Sequence, residues 1–369
     1  MERGFKVEVF CIIFSPVRKY FHGNFQLYTT SMNPFRDSTE ILHDKASLAG
    51  RLSIDGYLFF PRLIPTDHVR KLRKSMLKIL GKAGWIDTGS GYDLESAISN
   101  SKSFVPDTDP TATAVMIQQI ALPSVRDLQH HPMLISLFER IFDEPVFPLP
   151  RVIPRTLFPN QDDHTTPPHQ DYPHVQGSKR SCAAWIPLGD CGPDMGGLAI
   201  ARNSNNDGVL SIVPAMGAGG LGVSDQYQGR WHYTPFLAGD VMIFNCLTVH
   251  KGLPNRSKKL RLSIDMRYQP VSEPVCEDWL QPHRNAISWE DLYKNWPDRR
   301  TQYYWRALHL RTVPFDKSYY GQREQTALDM AARGDRNALA ALRRIKATTD
   351  DKDLRRRASV AIENLDSIR

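Results

Sequence analysis

The sequence predicts a mainly β protein whose sandwich or barrel core has helices before and after it in the chain. From residue 147 to residue 270, short apolar runs follow one another and are separated by Gly, Pro and Asn, as in β-sandwiches and barrels. On either side of this tract, apolar residues recur at spacings of three and four, which is typical of amphipathic helices. The 369 residues, 41% of them hydrophobic, are enough to bury a sizeable core.

The N-terminal part is expected to comprise a leader followed by two helical segments. Residues 1–48 lack sustained periodicity and predict a flexible leader, whose basic, Ser/Thr-containing start is also compatible with a transit peptide. A short strand is expected within residues 54–65. Helices are then expected from residue 66 to near Gly81 and over residues 124–142, with Pro132 as a point of division in the second.

Six apolar runs predict the strands of the core, and helices are expected to follow them. The Gly-rich tract at residues 217–222 lacks the Lys-Ser/Thr of a phosphate-binding loop and is interpreted as a flexible loop over the mouth of the barrel. Amphipathic patterns return after Pro274, so the chain divides into a core domain over residues 49–275 and a helical C-terminal extension over residues 276–369. The strand candidates are LPRVIPRTLF, SCAAWIPLGD, GGLAIARNS, VLSIVPAM, DVMIFNCLTVH and LRLSIDMRYQP.

Charge and cysteine content narrow the class of protein. The net charge of +7 is spread along the chain without a nucleic-acid-binding motif, which favours an anionic small-molecule substrate over nucleic acid. The five cysteines are odd in number and irregularly spaced, which favours reduced thiols and hence an intracellular, cytoplasmic protein. The longest apolar run is too short to span a bilayer.

The stretch PPHQDYPH, residues 167–174, carries the first chemical signal. In an extended strand, His169 and Asp171 project to the same side and Gln170 to the other. A second histidine, His250, ends the apolar run GDVMIFNCLTVH 81 residues later. Two histidines and one carboxylate leave coordination positions of an octahedral ion open, which is the ligand set of non-haem Fe(II) oxygenases.

A cationic residue follows this ligand set at a short distance in the chain. Arg261 lies eleven residues beyond His250, and Ser263 is on the same face of the same predicted strand. A forked guanidinium beside an iron site suits one end of a dicarboxylate whose other end chelates the metal. The pattern therefore predicts 2-oxoglutarate and O2 as cosubstrates.

Four segments together resemble the phytanoyl-CoA dioxygenase family of Fe(II)/2-oxoglutarate-dependent oxygenases. They are HQD, the tract from WIPLGD to GGLAIA, the run from GDVMIFN to DMRYQP, and DGYLFFPRLIP, which span roughly residues 50–275. The resemblance implies a double-stranded β-helix core, a cupin-like jelly roll, buttressed by the N-terminal helices. It also implies iron ligands and cosubstrate contacts at matching positions: His169, Asp171 and His250 for iron, and Arg261, Ser263 and Arg155 for 2-oxoglutarate.

The substrate is less readable than the cofactors. After GGLAIA the chain reads RNSNNDGVL where many relatives have a Pro-Gly-Ser-His tract, so an acyl-CoA substrate is not carried over. Tyr172, Trp185 and Arg267 are candidate substrate contacts. For Trp185 the alternative is core packing, and for Arg267 it is a pair with an acidic neighbour. His174 is interpreted as a loop residue, and a substrate contact is the alternative.

The resulting hypothesis is hydroxylation of an unactivated C–H bond of a small metabolite, with release of succinate and CO2. A carboxylate at position 171 favours hydroxylation over halogenation, because a small residue there would leave a coordination position for halide. Desaturation, ring formation and demethylation use the same residues and stay open. Two further alternatives are a cupin-like binding module and an interaction protein whose basic C-terminal helices bind a partner.

Overall fold

The computed structural model of the protein describes residues 32–89, 91, 93–100, 104–106, 108–224 and 226–367. Most of the predicted leader, residues 1–31, lies outside them. None of the described helices is long and apolar enough to cross a bilayer. The α-helices are α1 (Lys45–Asp55), α2 (Thr66–Lys82), α3 (Pro110–Ile120), α4 (Pro123–Gln129), α5 (Pro132–Phe142), α6 (Tyr172–Val175), α7 (Trp289–Tyr293), α8 (Ser318–Ala332), α9 (Leu339–Thr348) and α10 (Lys352–Ser367).

Short strands alternate with turns through the middle of the chain, as the spacing of apolar runs predicts. They are β1 (Tyr57–Phe60), β2 (Val146–Pro148), β3 (Ile153–Leu157), β4 (Cys182–Pro187), β5 (Leu198–Ala201), β6 (Val213–Pro214), β7 (Leu221–Gly222), β8 (Trp231–His232), β9 (Val241–Asn245), β10 (His250–Gly252), β11 (Arg261–Pro270), β12 (Val275–Cys276) and β13 (Thr312–Val313).

Two antiparallel sheets form the centre of the molecule. The larger has the strand order β1-β9-β4-β11-β2, and β3 also pairs with β11. The smaller has the order β10-β5-β8. The prediction of a β core flanked by helices is therefore confirmed, and its two sheets are antiparallel.

Side chains along the strands of the larger sheet alternate between its two faces, and both faces are buried. Tyr57 and Phe59 of β1 face an apolar cluster shared with the smaller sheet, whereas Leu58 and Phe60 face the cluster formed with the N-terminal helices. On the helix side, Phe138 of α5 stacks on Tyr268 of β11 with 4.1 Å between ring centroids. The helices α2, α4 and α5 thus cover one face of the sheet, and the smaller sheet covers the other.

The two faces of strand β11 differ in polarity. All ten of its residues are buried. The residues on one face, Leu262, Ile264, Met266 and Tyr268, belong to the apolar cluster with the helices. Those on the other face are Arg261, Ser263, Asp265 and Arg267, which are polar and buried. Burying charge is costly unless it is paired, so this face is expected to surround a functional site.

The N-terminal helices differ in detail from their predicted limits. The helix expected over residues 124–142 is two helices, α4 and α5, because Pro132 stands in the first turn of the second. The domain boundary predicted at residue 49 falls inside α1, which begins earlier because the Asp44 side chain accepts a hydrogen bond from the Ser47 amide. Before it, Asn33 forms a bridge with His232 in β8.

The glycine tract predicted as a flexible loop belongs to a hairpin. Its residues 217–220 lie in the turn, and residues 221–222 form β7, which pairs with β6. A Cβ at Gly217, whose φ is +126°, would collide with the carbonyl oxygen of Thr165. A Cβ at Gly220 would lie 2.8 Å from the Cα of Ala341 in α9. Glycine therefore allows the hairpin to fit between the segment preceding the HQD motif and the C-terminal helices.

The Gly217→Ala variant is expected to lower the free energy of unfolding by about 1–3 kcal/mol more than Gly219→Ala. Both glycines have positive φ, but a Cβ at Gly219 meets nothing within 4 Å. The difference between the two variants in urea unfolding therefore measures the collision with Thr165. Equal stabilities would show that this contact does not constrain the hairpin.

Candidate active site

The structure brings the three predicted metal ligands together at the edge of the smaller sheet. One side-chain atom from each of His169, Asp171 and His250 lies within 4.8 Å of the others, and all three residues are buried. The Nε2 atoms of His169 and His250 are 3.8 and 3.9 Å from Oδ1 of Asp171. Nε2, Nε2 and Oδ1 therefore converge on a space where one ion can bind all three.

Backbone carbonyls set which nitrogen of each imidazole faces this space. Nδ1 of His169 bonds to the Pro167 carbonyl at 2.9 Å, and Nδ1 of His250 bonds to the Thr248 carbonyl at 3.0 Å. Because a carbonyl only accepts, each Nδ1 must carry the proton and donate it. The lone pair of each Nε2 is then available to a metal, which is the usual outer support of a histidine ligand.

The prediction that His169 and Asp171 lie on one extended strand is wrong. His169 makes only an isolated bridge, in which its amide donates to the His250 carbonyl and its carbonyl accepts from the His250 amide, both at 3.0 Å. The chain then turns, because Asp171 has helical φ and ψ values of −73° and −29° and precedes α6. The two side chains converge through this turn and not through strand alternation.

Arg267 pairs with the carboxylate of the cluster. Its Nε and Nη2 donate to Oδ2 of Asp171 at 3.2 and 2.9 Å, and both side chains are 4% exposed. Of the two alternatives for Arg267, the acidic neighbour is the one found, and that neighbour is the predicted iron ligand. Oδ2 is thereby held, and Oδ1 remains directed at the two histidines.

The protonation states match those that metal binding requires. Burial lowers the pKa of His169 well below its ordinary value and also lowers the pKa of His250, so both imidazoles are neutral. Burial alone would raise the pKa of Asp171, but the charge of Arg267 and its hydrogen bonds to the carboxylate outweigh burial and hold this pKa below its ordinary range. Neutral imidazoles and an ionised carboxylate are the binding forms of these ligands.

Arg261 and Ser263 lie further along the same polar face of β11. The Arg261 Nη1 donates to the Ser263 hydroxyl at 2.6 Å, and the guanidinium lies 5.6 Å from the centroid of the Trp185 ring. Its Nε is buried with no hydrogen-bond partner among the described residues. No carboxylate of the described chain is within ion-pairing distance of this guanidinium, so it suits the carboxylate of a ligand.

Arg155, the third predicted cosubstrate contact, lies opposite Ser263 in the register of β3 and β11. Its Nε donates to Oδ2 of Asp265 at 2.5 Å. The pair balances the charge of Asp265 on the polar face of β11. Arg155 also lines the cavity described next, so it stands beside the predicted position of the cosubstrate.

A cavity of about 1080 Å³ opens onto His169, Asp171, Arg261 and Arg267. Of the other predicted substrate contacts, neither Tyr172 nor Trp185 is among its lining residues. Trp185 packs against Phe236 between the sheets, with ring centroids 4.6 Å apart, which is the core-packing alternative. The apolar side of the cavity is formed by residues including Trp85, Phe104, Val115, Met116, Phe158 and Phe315.

His174 lies in α6 and not in a loop, lines the cavity and has its ring centroid 6.3 Å from that of His169. This position favours the alternative of a substrate contact, whereas the residue that His174 contacts was not foreseen from the sequence. Its Nδ1 is 3.1 Å from the hydroxyl of Tyr320 in α8. Burial lowers the pKa of His174 to about 4, so it is neutral. The only signal in the sequence was its nearness to the HQD motif.

The cluster and the cavity can be compared with known proteins. The model of the phytanoyl-CoA dioxygenase family matches residues 53–263, which include His169, Asp171, His250 and Arg261. The chain belongs to this family. It is an Fe(II)/2-oxoglutarate-dependent oxygenase. The two neutral imidazoles and the carboxylate fit Fe(II), and the Arg261 guanidinium, which pairs with no carboxylate of the described residues, fits 2-oxoglutarate.

Two similar proteins are named for a reaction. The chain is 26% identical over 259 residues to 1-deoxypentalenic acid 11-beta-hydroxylase of Streptomyces exfoliatus, and 28% identical over 271 residues to the protein of that name from Streptomyces arenae. Each comparison covers 66% of this chain and 88% of the relative.

Among solved structures, the chain is similar to the epimerase SnoN in complex with Fe3+, alpha ketoglutarate and nogalamycin RO. The identity is 20% and the TM-score 0.46, over 63% of this chain and 85% of SnoN. It is also similar to EvdO2 of Micromonospora carbonacea var. aurantiaca complexed with 2-oxoglutarate, at 16% identity and a TM-score of 0.45, over 60% of this chain and 89% of EvdO2.

Proposed function

We propose that this oxygenase hydroxylates an unactivated C–H bond of a small anionic metabolite. The observation that carries the proposal is the buried cluster of His169, Asp171 and His250, with one donor atom from each directed at a common point beside the cavity. These three side chains would hold Fe(II), and Arg261 with Ser263 would bind the distal carboxylate of 2-oxoglutarate. Bound Fe(II), 2-oxoglutarate and O2 supply the oxidation of the C–H bond, with succinate and CO2 as coproducts.

The protein's own contribution is orientation. The carbonyls of Pro167 and Thr248 fix the two imidazoles, and Arg267 fixes the carboxylate. Asp171 occupies the coordination position that a small residue would leave to halide, which favours hydroxylation over halogenation. Desaturation, ring formation and demethylation would use the same metal ligands. The position of the substrate in the cavity would determine which of these reactions takes place.

The cavity supports a substrate with both apolar and anionic parts. Trp85, Phe104 and Met116 are among the residues of its apolar side, which suits a hydrocarbon skeleton. Seven cationic and three acidic side chains line it, which favours a negative charge on the ligand. The name of the Streptomyces relatives describes hydroxylation of a carboxylic acid, and a substrate of that class fits these walls.

The family also supports a finer description of the fold. The two antiparallel sheets share the apolar cluster of Phe59, Trp185, Ile200 and Trp231, and the cluster of ligands stands at one edge of the smaller sheet. We assign this arrangement to a double-stranded β-helix within the core domain predicted over residues 49–275, whose first residue moves back to the start of α1 at Lys45. Residues 276–369 are its C-terminal extension.

The Arg261→Gln variant is expected to weaken 2-oxoglutarate binding at least about 30-fold, because a buried guanidinium that pairs with a ligand carboxylate contributes about 2–5 kcal/mol. Binding is measured by anaerobic titration of 2-oxoglutarate into the Fe(II) form, and the affinity for Fe(II) itself should change little. The exposed Arg299→Gln variant is the control. Unchanged 2-oxoglutarate affinity in Arg261→Gln would contradict the assignment of Arg261.

A further inference from the structure

The cavity extends along both faces of strand β3, all five residues of which line it. Arg155 is paired with Ser263 in the register with β11 and so lies on the polar face that carries the metal site. Thr156 is paired with Leu262, whose side chain packs in the apolar cluster of the N-terminal helices. Residues directly opposite each other in an antiparallel pair share a face. Arg155 and Thr156 therefore border two different parts of the cavity.

Helix α3 packs against β3 and forms a wall of the part that faces the N-terminal helices. Its lining residues recur at spacings of three and four, which places them on one side of the helix. Aromatic side chains close the space beside it, because the Phe158 ring lies 5.1 Å from that of Trp85 and 5.4 Å from that of Phe104, centroid to centroid. We call this part of the cavity the α3 subsite. It comprises Thr156 and the α3 residues Ala112, Thr113, Val115, Met116 and Gln119.

Gln119 is a polar side chain at a position that suits an apolar one. Only 3% of its surface is exposed. Its Nε2 is buried and has no hydrogen-bond partner in the part of the chain that the structure describes. A buried amide donor without a partner destabilises the folded state, whereas an apolar side chain of similar volume avoids this cost. A ligand that accepts a hydrogen bond would explain the amide at this position.

Thr156 supplies a second polar group to the same subsite. Its Oγ1 is likewise buried without a partner among the described residues, although Pro154 and Phe158 on the same face of the chain are apolar. An amide nitrogen only donates, and a hydroxyl can donate as well. One oxygen atom with two lone pairs can accept from both. Because the side chains that define the α3 subsite are uncharged, a neutral oxygen suits it better than a carboxylate.

We propose that the α3 subsite binds a neutral oxygen, of a carbonyl or a hydroxyl group, on the apolar skeleton of the substrate, with Gln119 and Thr156 as hydrogen-bond donors. The reacting carbon then lies on the other face of β3, beside the metal cluster. This inference rests on the proposed function, because it takes the cavity as the substrate pocket. It makes Gln119 and Thr156 determinants of specificity for a substrate that already carries an oxygen away from the carbon to be hydroxylated.

The first test separates a binding role of the amide from a structural one. Gln119→Met replaces a buried, unpaired donor with an apolar side chain of similar volume, so the Tm of the ligand-free protein should rise by about 1–3 °C. Gln118→Met, at the exposed neighbouring position, should leave the Tm unchanged. Thermal unfolding followed by circular dichroism measures both. A lower Tm in Gln119→Met would show that the amide holds the fold together, which contradicts the proposal.

The second test measures binding and does not depend on turnover. Fused-ring hydrocarbon carboxylic acids of graded size, each matched with a keto derivative of the same skeleton, are titrated into the anaerobic protein loaded with Fe(II) and 2-oxoglutarate. Wild type is expected to bind the best keto acid at least about 5-fold more tightly than its parent acid, as recorded by heat of binding. Gln119→Met and Thr156→Val should each reduce this preference, and the double variant should lose it. Gln118→Met should keep it.

Three results would overturn the proposal. They are equal affinity of wild type for both members of every pair, no binding of any acid, and a preference that the double variant retains. Equal affinity would mean that solvent alone satisfies the two donors. Visible absorbance of the Fe(II)/2-oxoglutarate chelate, recorded before each titration, keeps the two proposals apart. Its absence from wild type would contradict the proposed function, whereas its presence without a preference for keto acids would contradict only the role of the α3 subsite.

Discussion

The Asp171→Asn variant is expected to lose Fe(II) affinity by at least about 100-fold. Removing a residue that only supports a metal ligand already lowers metal affinity by up to about 100-fold, and Asp171 is itself a proposed ligand. Asparagine keeps the volume of the side chain but replaces a charged oxygen donor with a neutral one. It also leaves the buried Arg267 without its carboxylate partner. Turnover should fall with metal occupancy, because the ion can no longer be held by all three donors.

Anaerobic calorimetry with Fe(II) measures this loss, and near-ultraviolet circular dichroism shows whether the variant is folded. Asp163→Asn is the matched control, because Asp163 is exposed and precedes the HQD motif by only a few residues. Wild-type affinity for Fe(II) in Asp171→Asn would show that the carboxylate is not a ligand.

The Arg267→Met variant is expected to destabilise the metal-free protein by about 3–5 kcal/mol, the usual cost of removing one partner of a buried ion pair. Methionine fills much of the space of arginine but leaves the ionised Asp171 carboxylate, 4% exposed, without its counter-charge. A bound divalent ion supplies positive charge to the same carboxylate. Saturating metal should therefore raise the stability of Arg267→Met more than that of wild type.

Denaturant unfolding with and without Zn2+ measures both effects. Arg299→Met, at an exposed position, should match wild type in both conditions. Arg267→Lys should fall between the two, because it keeps the charge but not the fork that contacts Asp171 through two nitrogens. If Arg267→Met is as stable as wild type without metal, the pair does not hold the carboxylate in place.

The ligand cluster could be predicted from sequence because few residues determine it. His250 ends an apolar run whose strand character is readable, and His169 and Asp171 stand together in the HQD motif. Arg261 and Ser263 share one face of a strand with strict alternation. The reason given for the convergence of His169 and Asp171 was wrong. The backbone at Asp171 turns into α6, and only His169 before it is paired with another strand. A segment this short has no repeating pattern of apolar residues from which the turn could be predicted.

The pocket walls could not be predicted in the same way. The sequence left two partners possible for Arg267, an acidic neighbour and an anionic substrate, because either one would balance the charge of a buried arginine on β11. Only the folded chain brings Asp171, 96 residues earlier, to its guanidinium. The C-terminal helices show amphipathic patterns, but such a pattern states which face is apolar and not where the helix docks. Tyr320 and Arg323 thus reach the cavity through packing against a glycine hairpin that the sequence presented as a loop.

The most direct test of the iron site is the visible absorbance of the anaerobic protein with Fe(II) and 2-oxoglutarate. Chelation of Fe(II) by 2-oxoglutarate at His169, Asp171 and His250 predicts a weak charge-transfer band in wild type. The band should disappear in His250→Ala and persist in His309→Ala, which replaces an exposed histidine. A wild type without the band, or a His250→Ala variant that retains it, would contradict the assignment of this cluster.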